Sequence, residues 1–236
     1  WVGYTIDYDP GPMLAVQPTV DIAKRFSRQR IAPLIAESER LTSKIADNKS
    51  RDGGNSMLSK EFPGGILLLA GANSAAGLRS MPIKKLFLDE VDAYPGDLDG
   101  EGDPIALAEA RTISFGHRSK LFLASTPTVK GLSRIEREYE LSDQQRYHVP
   151  CPHCGALQWL KFERLRWQPG RPETARYVCE HCDEPIAERH KTEMMDEANG
   201  ATWLPTAEPE MPPNMTEAVM FTWPRPPRRW PTAAPA

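Results

Sequence analysis

The sequence predicts a mainly parallel α/β sheet followed by a small cysteine-bearing module. Two observations carry this. Short apolar runs alternate with stretches of helical character through residues 12–141, the pattern of a sheet covered by helices. All four cysteines then fall into two Cys-x-x-Cys pairs, Cys151/Cys154 and Cys179/Cys182. With 236 residues, 40% of them hydrophobic, the chain can bury one sizeable core and a small second one. No apolar run approaches the roughly 18 residues of a membrane span, so none is expected. Trp1 and its neighbours lack the basic start of a secretory signal. A net charge of -3 excludes a simple polycation, so contact with nucleic acid must come from local patches.

The elements follow in order. Residues 12–18 are an apolar run closed by Pro18, which suits a buried strand. Asp21 to Ala36 places Ile22, Phe26, Ile31 and Ile35 on about one helical face, with Lys24, Arg25, Arg28, Gln29 and Arg30 among them. That basic flank reads equally as a solvated face or as a contact. Residues 47–62 are polar and glycine-rich, as in a loop or hairpin. Gly65 to Ala70, Lys85 to Asp89 and Lys120 to Ser125 are further strands. Asn73 to Ser80 suits a short helix. Pro104 to Phe115 is a helix with Asp103 as N-cap and Pro104 at its first position. Gly131 to Leu141 is a charged helix, and Pro185 to Ala198 is another. Nine of the 23 prolines lie beyond Leu204, too many for a continuing helix or central strand, so residues 205–236 are expected to be a disordered tail.

The third strand carries chemistry at its end. Leu86-Phe87-Leu88 runs into Asp89 and Glu90, the Walker B pattern. Two successive acids at a rigid strand end can divide the work of phosphoryl transfer. Asp89 can hold Mg²⁺ through its water shell, because Mg²⁺ takes hard oxygen ligands and keeps several waters. Glu90 can orient or deprotonate the attacking water. Asp92 extends the run to Asp-Glu-Val-Asp, while Asp97, Asp99, Glu101 and Asp103 read as a solvated acidic loop. The fourth strand ends in Ser125-Thr126-Pro127-Thr128. Read alone, these hydroxyls cap a turn. Beside Asp89 and Glu90 they read as a sensor of the terminal phosphate, since a hydroxyl can both donate and accept.

The cysteine pairs are separated by residues 155–178. Without a secretory signal, such knuckles read as metal ligands, not disulfides. Four thiolates complete a tetrahedral Zn²⁺ site of structural type, with no position left open for water. Pro152 and Gly155 supply the tight turn of the first knuckle. Strands are expected at 147–149, 157–160 and 176–178, as in a zinc ribbon. Lys161, Arg164, Arg166 and Arg171 are interleaved with Trp159, Phe162 and Trp167. This composition fits a DNA contact and equally an ordinary basic surface over a small aromatic core.

Taken together, Trp1–Tyr4, Pro12–Thr19, Lys24–Pro33, Ala72–Ser80, Leu86–Tyr94, Ser125–Gly131 and Cys151–Gly155 resemble the ATPase portion of the lambda-like GpA family of phage large terminase subunits. The similarity covers residues 1–204. It implies an additional-strand (ASCE-type) P-loop NTPase sheet at residues 1–146, a zinc-ribbon module with a following helix at 147–204, and the Pro-rich tail at 205–236. It implies a motor that hydrolyses ATP with Mg²⁺ to drive double-stranded viral DNA into a procapsid, with a nuclease in the full-length protein. It also implies a small terminase subunit and a portal as partners, a homo-oligomeric motor, no membrane, and the host cytoplasm. By resemblance, Asp89 serves Mg²⁺, Glu90 is the catalytic carboxylate, Ser125 and Thr126 couple hydrolysis to movement, and Gln17 and Thr19 approach the nucleotide.

Two departures stand out. No G-x-x-x-x-G-K-[ST] loop occurs in the sequence. In the family that loop precedes the segment matching Trp1, so the sheet is expected to lack its P-loop strand and to leave 120–125 as an open edge, and the chain is expected to be inactive alone. The tail after Met211 does not follow the family. Two other readings remain: a different DExD-type helicase or translocase carrying a zinc ribbon, and a non-catalytic DNA-binding remnant.

Overall fold

The computed structural model describes residues 1–45 and 55–209. It divides into two units, one within Trp1–Leu141 and the other beginning at Ser142. The first contains α1 (Val2–Asp7), β1 (Met13–Gln17) and α2 (Val20–Phe26). A π turn (Ser27–Ile31) joins α2 to α3 (Ala32–Ala36), and α4 (Glu39–Thr42) follows. Then come β2 (Ser59–Phe62), β3 (Gly65–Gly71), α5 (Ala75–Leu78), β4 (Lys85–Asp89), α6 (Pro104–Glu109), β5 (Lys120–Ala124) and α7 (Arg134–Leu141).

The five strands form one sheet in the order β2-β3-β1-β4-β5. β3, β1, β4 and β5 are parallel, and β2 pairs antiparallel to β3. The expected parallel-dominated α/β sheet is therefore present. Its strands alternate between two cores, as the period-2 geometry of a strand requires. Leu14 and Val16 of β1 pack with Leu86, Leu88, Ala70, Leu78 and Ile105 on one face. Met13 and Ala15 pack with Leu67, Leu69, Ile6 and Ile31 on the other. A sheet covered on both faces explains why β1 is buried at all five positions.

β5 lies at one edge among the described residues. Its Phe122 ring sits 5.6 Å from Trp1 and 5.4 Å from Phe87. At the opposite end of β4 from Asp89, Lys84 and Lys85 each reach Asp9 at 2.7 Å. The side-chain hydrogen bond from Lys84, then that from Lys85, holds the Asp9 carboxyl below its ordinary range. Lys24, Arg25, Arg28, Gln29 and Arg30 are exposed, and Lys24 lies 3.4 Å from Asp21.

The second unit holds two small antiparallel sheets. β6 (Arg146–Pro150) lies between β7 (Leu157–Trp159) and β11 (Thr202–Leu204). β9 (Arg171–Val178) lies between β8 (Leu165–Gln168) and β10 (Pro185–Ile186). Val149, Cys151, Cys179, Ile186, Met194 and Ala201 form its core.

Several boundaries differ from expectation. The helix over 104–115 shortens to α6 and continues as a 3-10 turn to Arg118. The charged helix starts at Arg134, where the Ser133 hydroxyl accepts the Glu136 amide at 3.1 Å and supplies the N-cap. The helix over 185–198 is corrected: Pro185 belongs to a strand, and the rest is 3-10 turns around the four-residue α8 (Lys191–Met194). Asp196 caps one of these turns and Gly200 ends it at φ 95, so the backbone is turned twice within that length. Of the loop or hairpin expected over 47–62, residues 59–62 form β2, the first arm of a hairpin with β3, while its 47–54 part, like nearly all of the tail, lies outside the described residues.

At the carboxyl end of β3 the backbones come very close. A Cβ built on Gly71 would meet the Val20 amide nitrogen at 2.2 Å and the Thr19 carbonyl carbon at 2.5 Å. We expect Gly71→Ala to destabilise the first unit by about 1–3 kcal/mol, as overpacking against backbone does. Gly96→Ala, with open space around its Cβ, serves as a near-neutral control in thermal denaturation; equal midpoints for the two variants would contradict the close approach.

Candidate functional site

The register of the parallel strands brings the predicted residues to one edge of the sheet. Val16 is level with Leu88, Gln17 with Gly71, and Asp89 with Ala124. Gln17 and Asp89 therefore end adjacent strands side by side. The Gln17 side-chain amide donates to Asp89 Oδ2 at 2.8 Å. Gln17 is nearly fully buried, so its amide fixes the carboxylate from the protein side. The Tyr94 hydroxyl donates to the Val16 carbonyl at 2.9 Å and ties the following loop back onto β1. Burial, then the Asp89 charge, pushes the Tyr94 phenol far above its ordinary pKa, so it remains a donor.

Glu90 takes a left-handed backbone, φ 56 and ψ 49, a conformation disfavoured for a non-glycine residue. This kink turns the chain out of the strand directly after Asp89 and leaves the Glu90 side chain exposed. Two adjacent carboxylates, one held by an amide and one solvent-facing, suit a divided role: one for a hydrated divalent cation and one for a proton.

The Ser125 hydroxyl accepts the backbone amide of Asp92 at 3.2 Å. The Asp92 carboxylate answers by accepting the Thr128 amide at 3.0 Å, the Thr128 hydroxyl at 3.1 Å and the Ile135 amide at 3.0 Å. The ends of β4 and β5 are thus cross-tied. Burial raises the Asp92 pKa, but the Ile135 amide and the other donors outweigh it and hold the carboxyl below its ordinary value. Arg134 braces the same loop, donating to the carbonyls of Val91, Tyr94 and Pro95 at 3.1, 3.0 and 2.7 Å and lying 3.2 Å from Asp103.

Not every predicted residue joins the carboxylates. The Thr19 hydroxyl caps α2, accepting the Ile22 amide at 3.2 Å. Thr126 is half-buried after Ser125, and its carbonyl accepts the Ser125 hydroxyl at 3.3 Å. In the acidic loop, Asp97 accepts the amides of Gly100 and Gly102 at 2.6 and 2.9 Å, and Asp103 caps α6 as expected. Sequence reasoning missed Asn73, whose side chain accepts the Val20 amide at 3.1 Å. It also missed the Tyr94 latch and the Arg134 brace. No motif announces these, because each acts across more than 35 residues of chain.

The four cysteine sulfurs lie within 4.8 Å of one another. Cys151 Sγ is 3.9 Å from Cys182 Sγ, and Cys154 Sγ is 3.9 Å from Cys179 Sγ. A tetrahedron with Zn–S bonds of about 2.3 Å needs S···S edges of about 3.8 Å, so the donor set fits Zn²⁺. The amides of His153 and His181 point at Cys151 Sγ and Cys179 Sγ, each at 3.4 Å. Burial raises the Cys179 thiol, yet the amides of Cys182 and His181 outweigh it and bring it down to about 6. Burial holds the Cys151 thiol above its ordinary value, and Cys182, lowered by the Glu184 amide but raised by burial and the other sulfurs, is pushed up to about 12. The fit to a metal therefore rests on the sulfur geometry. Gln158, fully buried, ties β7 to the second knuckle: its amide nitrogen is 3.5 Å from Cys179 Sγ, and its oxygen accepts the Glu180 amide at 3.0 Å.

Two outcomes test this geometry. Gln158→Leu is expected to weaken Zn²⁺ retention by about 10–100-fold, the usual effect of losing an outer hydrogen bond to a ligand, read by chelator competition. The Asp92 ties have a defined pH sense. A carboxyl depressed in the folded state contributes stability above its unfolded pKa of about 3.9, and that stability is lost as pH falls through the folded value. Amide exchange of Thr128 and Ile135 is expected to accelerate below about pH 4, and Asp92→Asn to show that acceleration already at pH 7.

The chain matches the family described as phage terminase large subunit gpA, ATPase domain, over residues 1–203. It is 31% identical over 211 residues to a terminase large subunit of Enterobacteria phage P21, covering 85% of this chain and 32% of that protein. It is likewise 31% identical over 186 residues to a terminase large subunit of Escherichia phage lambda, covering 75% of this chain and 29% of that protein. The chain thus spans about a third of the length of these relatives. With its parallel sheet, its acidic strand end and a family match across most of its length, this chain belongs to the phage terminase large subunit gpA ATPase domain family.

Proposed function

We propose that residues 1–141 carry the Mg²⁺-dependent ATP-hydrolysing centre of a viral DNA-packaging motor, centred on Asp89 and Glu90. The observation that carries this reading is the Gln17–Asp89 hydrogen bond at 2.8 Å, which presents a metal-serving carboxylate at the carboxyl ends of parallel strands, where such sheets bind ligands. Mg²⁺ would supply charge neutralisation for the phosphates. Asp89 would hold its water shell, with Gln17 keeping the carboxylate oriented. Glu90, exposed beside it, would take the proton of the attacking water. Ser125, bound to the Asp92 amide, and Thr126, in the segment that Thr128 ties to the Asp92 carboxylate, would pass the state of the loop after β4 to the rest of the protein. Thr19, whose hydroxyl caps α2, would approach the nucleotide from the turn after β1.

The phosphate-binding loop of a P-loop NTPase would come from sequence outside these 236 residues, and its strand would pair with β5. Lys84 and Lys85 cannot replace its lysine. They lie at the amino end of β4, paired with Asp9, about 13 Å of strand away from Asp89 at 3.3 Å per residue. Lys24 is exposed on α2. The chain alone is therefore expected to release no phosphate from ATP. The wider assembly proposed from the kinship comprises double-stranded viral DNA, a small subunit, a portal and procapsid, and further copies of this chain, in the host cytoplasm, with a nuclease elsewhere in the full-length protein. Among the described residues, no helix is long and apolar enough to cross a membrane.

We assign the four cysteines one structural Zn²⁺ holding a zinc-ribbon fold, worth on the order of 10–16 kcal/mol of apparent binding energy. Cys179→Ser is expected to release the metal and lose the β-structure of the second unit, and parent protein purified without chelator is expected to carry stoichiometric zinc by metal analysis. For the motor, Glu90→Gln in a protein extended to include its phosphate-binding loop is expected to retain ATP binding but lower turnover at least a hundredfold, within the range of general-base contributions. Asp89→Asn should also weaken Mg²⁺-dependent binding. Near-parental turnover in Glu90→Gln would place the base elsewhere.

A further inference from the structure

The β8–β9 hairpin is the most basic part of the second unit. Residues 162–178 hold four arginines against two glutamates in a chain of net charge -3. The structure separates these basic residues by use. Arg164 is internal in role: it donates to the Val178 carbonyl at 3.0 Å and to the Cys179 carbonyl, and pairs with Asp183 at 2.6 Å. It therefore locks the hairpin base to the second cysteine knuckle. Lys161 pairs with Glu180 at 2.6 Å, and Arg171 with Glu173 at 2.9 Å.

Arg166 and Arg176 are different. They stand directly opposite each other across the β8–β9 ladder, so both side chains leave the same face of the ribbon. Both are exposed. Neither meets a carboxylate among the described residues; each guanidinium donates to backbone carbonyls of its own strand or the preceding turn. Like charges directly opposed on a ladder destabilise it. An anion bridging them removes that cost, and an arginine fork matches phosphate oxygens. Beyond them the ribbon ends in an exposed Pro169-Gly170 turn, with Gly170 at φ 75. Phe162 and Trp167, both exposed, have ring centroids 6.1 Å apart.

We infer that the β8–β9 hairpin is a duplex-DNA contact arm, in which Arg166 and Arg176 engage neighbouring backbone phosphates and the zinc knuckle anchors the arm. A two-stranded ribbon is slender enough to lie along or in a groove of the duplex. Contacts made by arginine to phosphate position a protein without reading sequence, so the arm serves a motor that must pass over any sequence. The inference rests on the DNA-handling reading given above and deepens it by naming the surface.

The test uses the zinc-loaded 236-residue chain and labelled 30-bp duplexes of unrelated sequence, with binding followed by anisotropy across a salt series. Arg166→Gln with Arg176→Gln is expected to weaken binding roughly tenfold and to lower the salt slope by about 1.8, two phosphates at about 0.9 each, for every duplex alike. Zinc content and melting midpoint should not change, and Arg189→Gln, outside the hairpin, should leave the slope as it was. A parental slope in the double variant overturns the arm while leaving duplex binding, and the motor reading, intact. No duplex binding by the parent chain overturns both. Tighter binding of single strands, lost in Trp167→Ala, overturns the duplex assignment in favour of base stacking.

Discussion

One line of register crosses the first unit, and the candidate site depends on it. Gly71, Gln17, Asp89 and Ala124 lie level on four neighbouring parallel strands. Because side chains alternate along a strand, a slip of one residue at β1 would turn Gln17 away from Asp89 and send Leu14 and Val16 into the wrong core. Two buried faces forbid that slip. The hydrophobic cores thus do more than stabilise the sheet: they set the level at which the polar ends of the strands meet.

What lies beyond that line is a set of ties between strand ends. Tyr94 joins the loop after β4 to β1, Asn73 joins the end of β3 to the start of α2, and Asp92 joins the loop after β4 to the segment after β5. Arg134 adds three carbonyl contacts to the same loop. The left-handed Glu90 is held in place between such ties. Strain of this kind persists where the surroundings over-determine the backbone, and here Asp89 on a strand and Val91 in the core bracket it on either side. The Asp92 carboxylate also joins the two strand ends, because it accepts from both the segment of Thr128 and the start of α7.

Much of this was legible in the sequence, and the rest fails for physical reasons. β1, β3, β4 and β5 were readable because a doubly buried strand is a short continuous apolar run. The paired carboxylates and the two cysteine knuckles were readable because their chemistry fixes a local spacing. Resemblance singled out Gln17 only as a neighbour of the nucleotide; its hydrogen bond to Asp89 was not foreseen, because the partner lies 72 residues away, a distance that no local pattern spans. The helix expected over 185–198 fails because its composition is helical while Pro185, Asp196 and Gly200 each direct the backbone elsewhere. The basic ribbon residues could not be sorted from sequence, since Arg164 and Arg166 differ in role only through what their guanidiniums reach in the fold.

On the proposed function, the ends of four parallel strands form one metal–nucleotide site. Iron-directed cleavage tests it most directly, with Fe²⁺ replacing Mg²⁺ alongside ATP in a protein extended to include its phosphate-binding loop, and with peroxide generating radicals at the bound ion. Cuts are expected to group at residues 17–19, 71–73, 89–90 and 124–126, all lost together in Asp89→Asn. Cuts confined to the acidic loop at 97–103, or cuts at the strand ends that persist in Asp89→Asn, would contradict it.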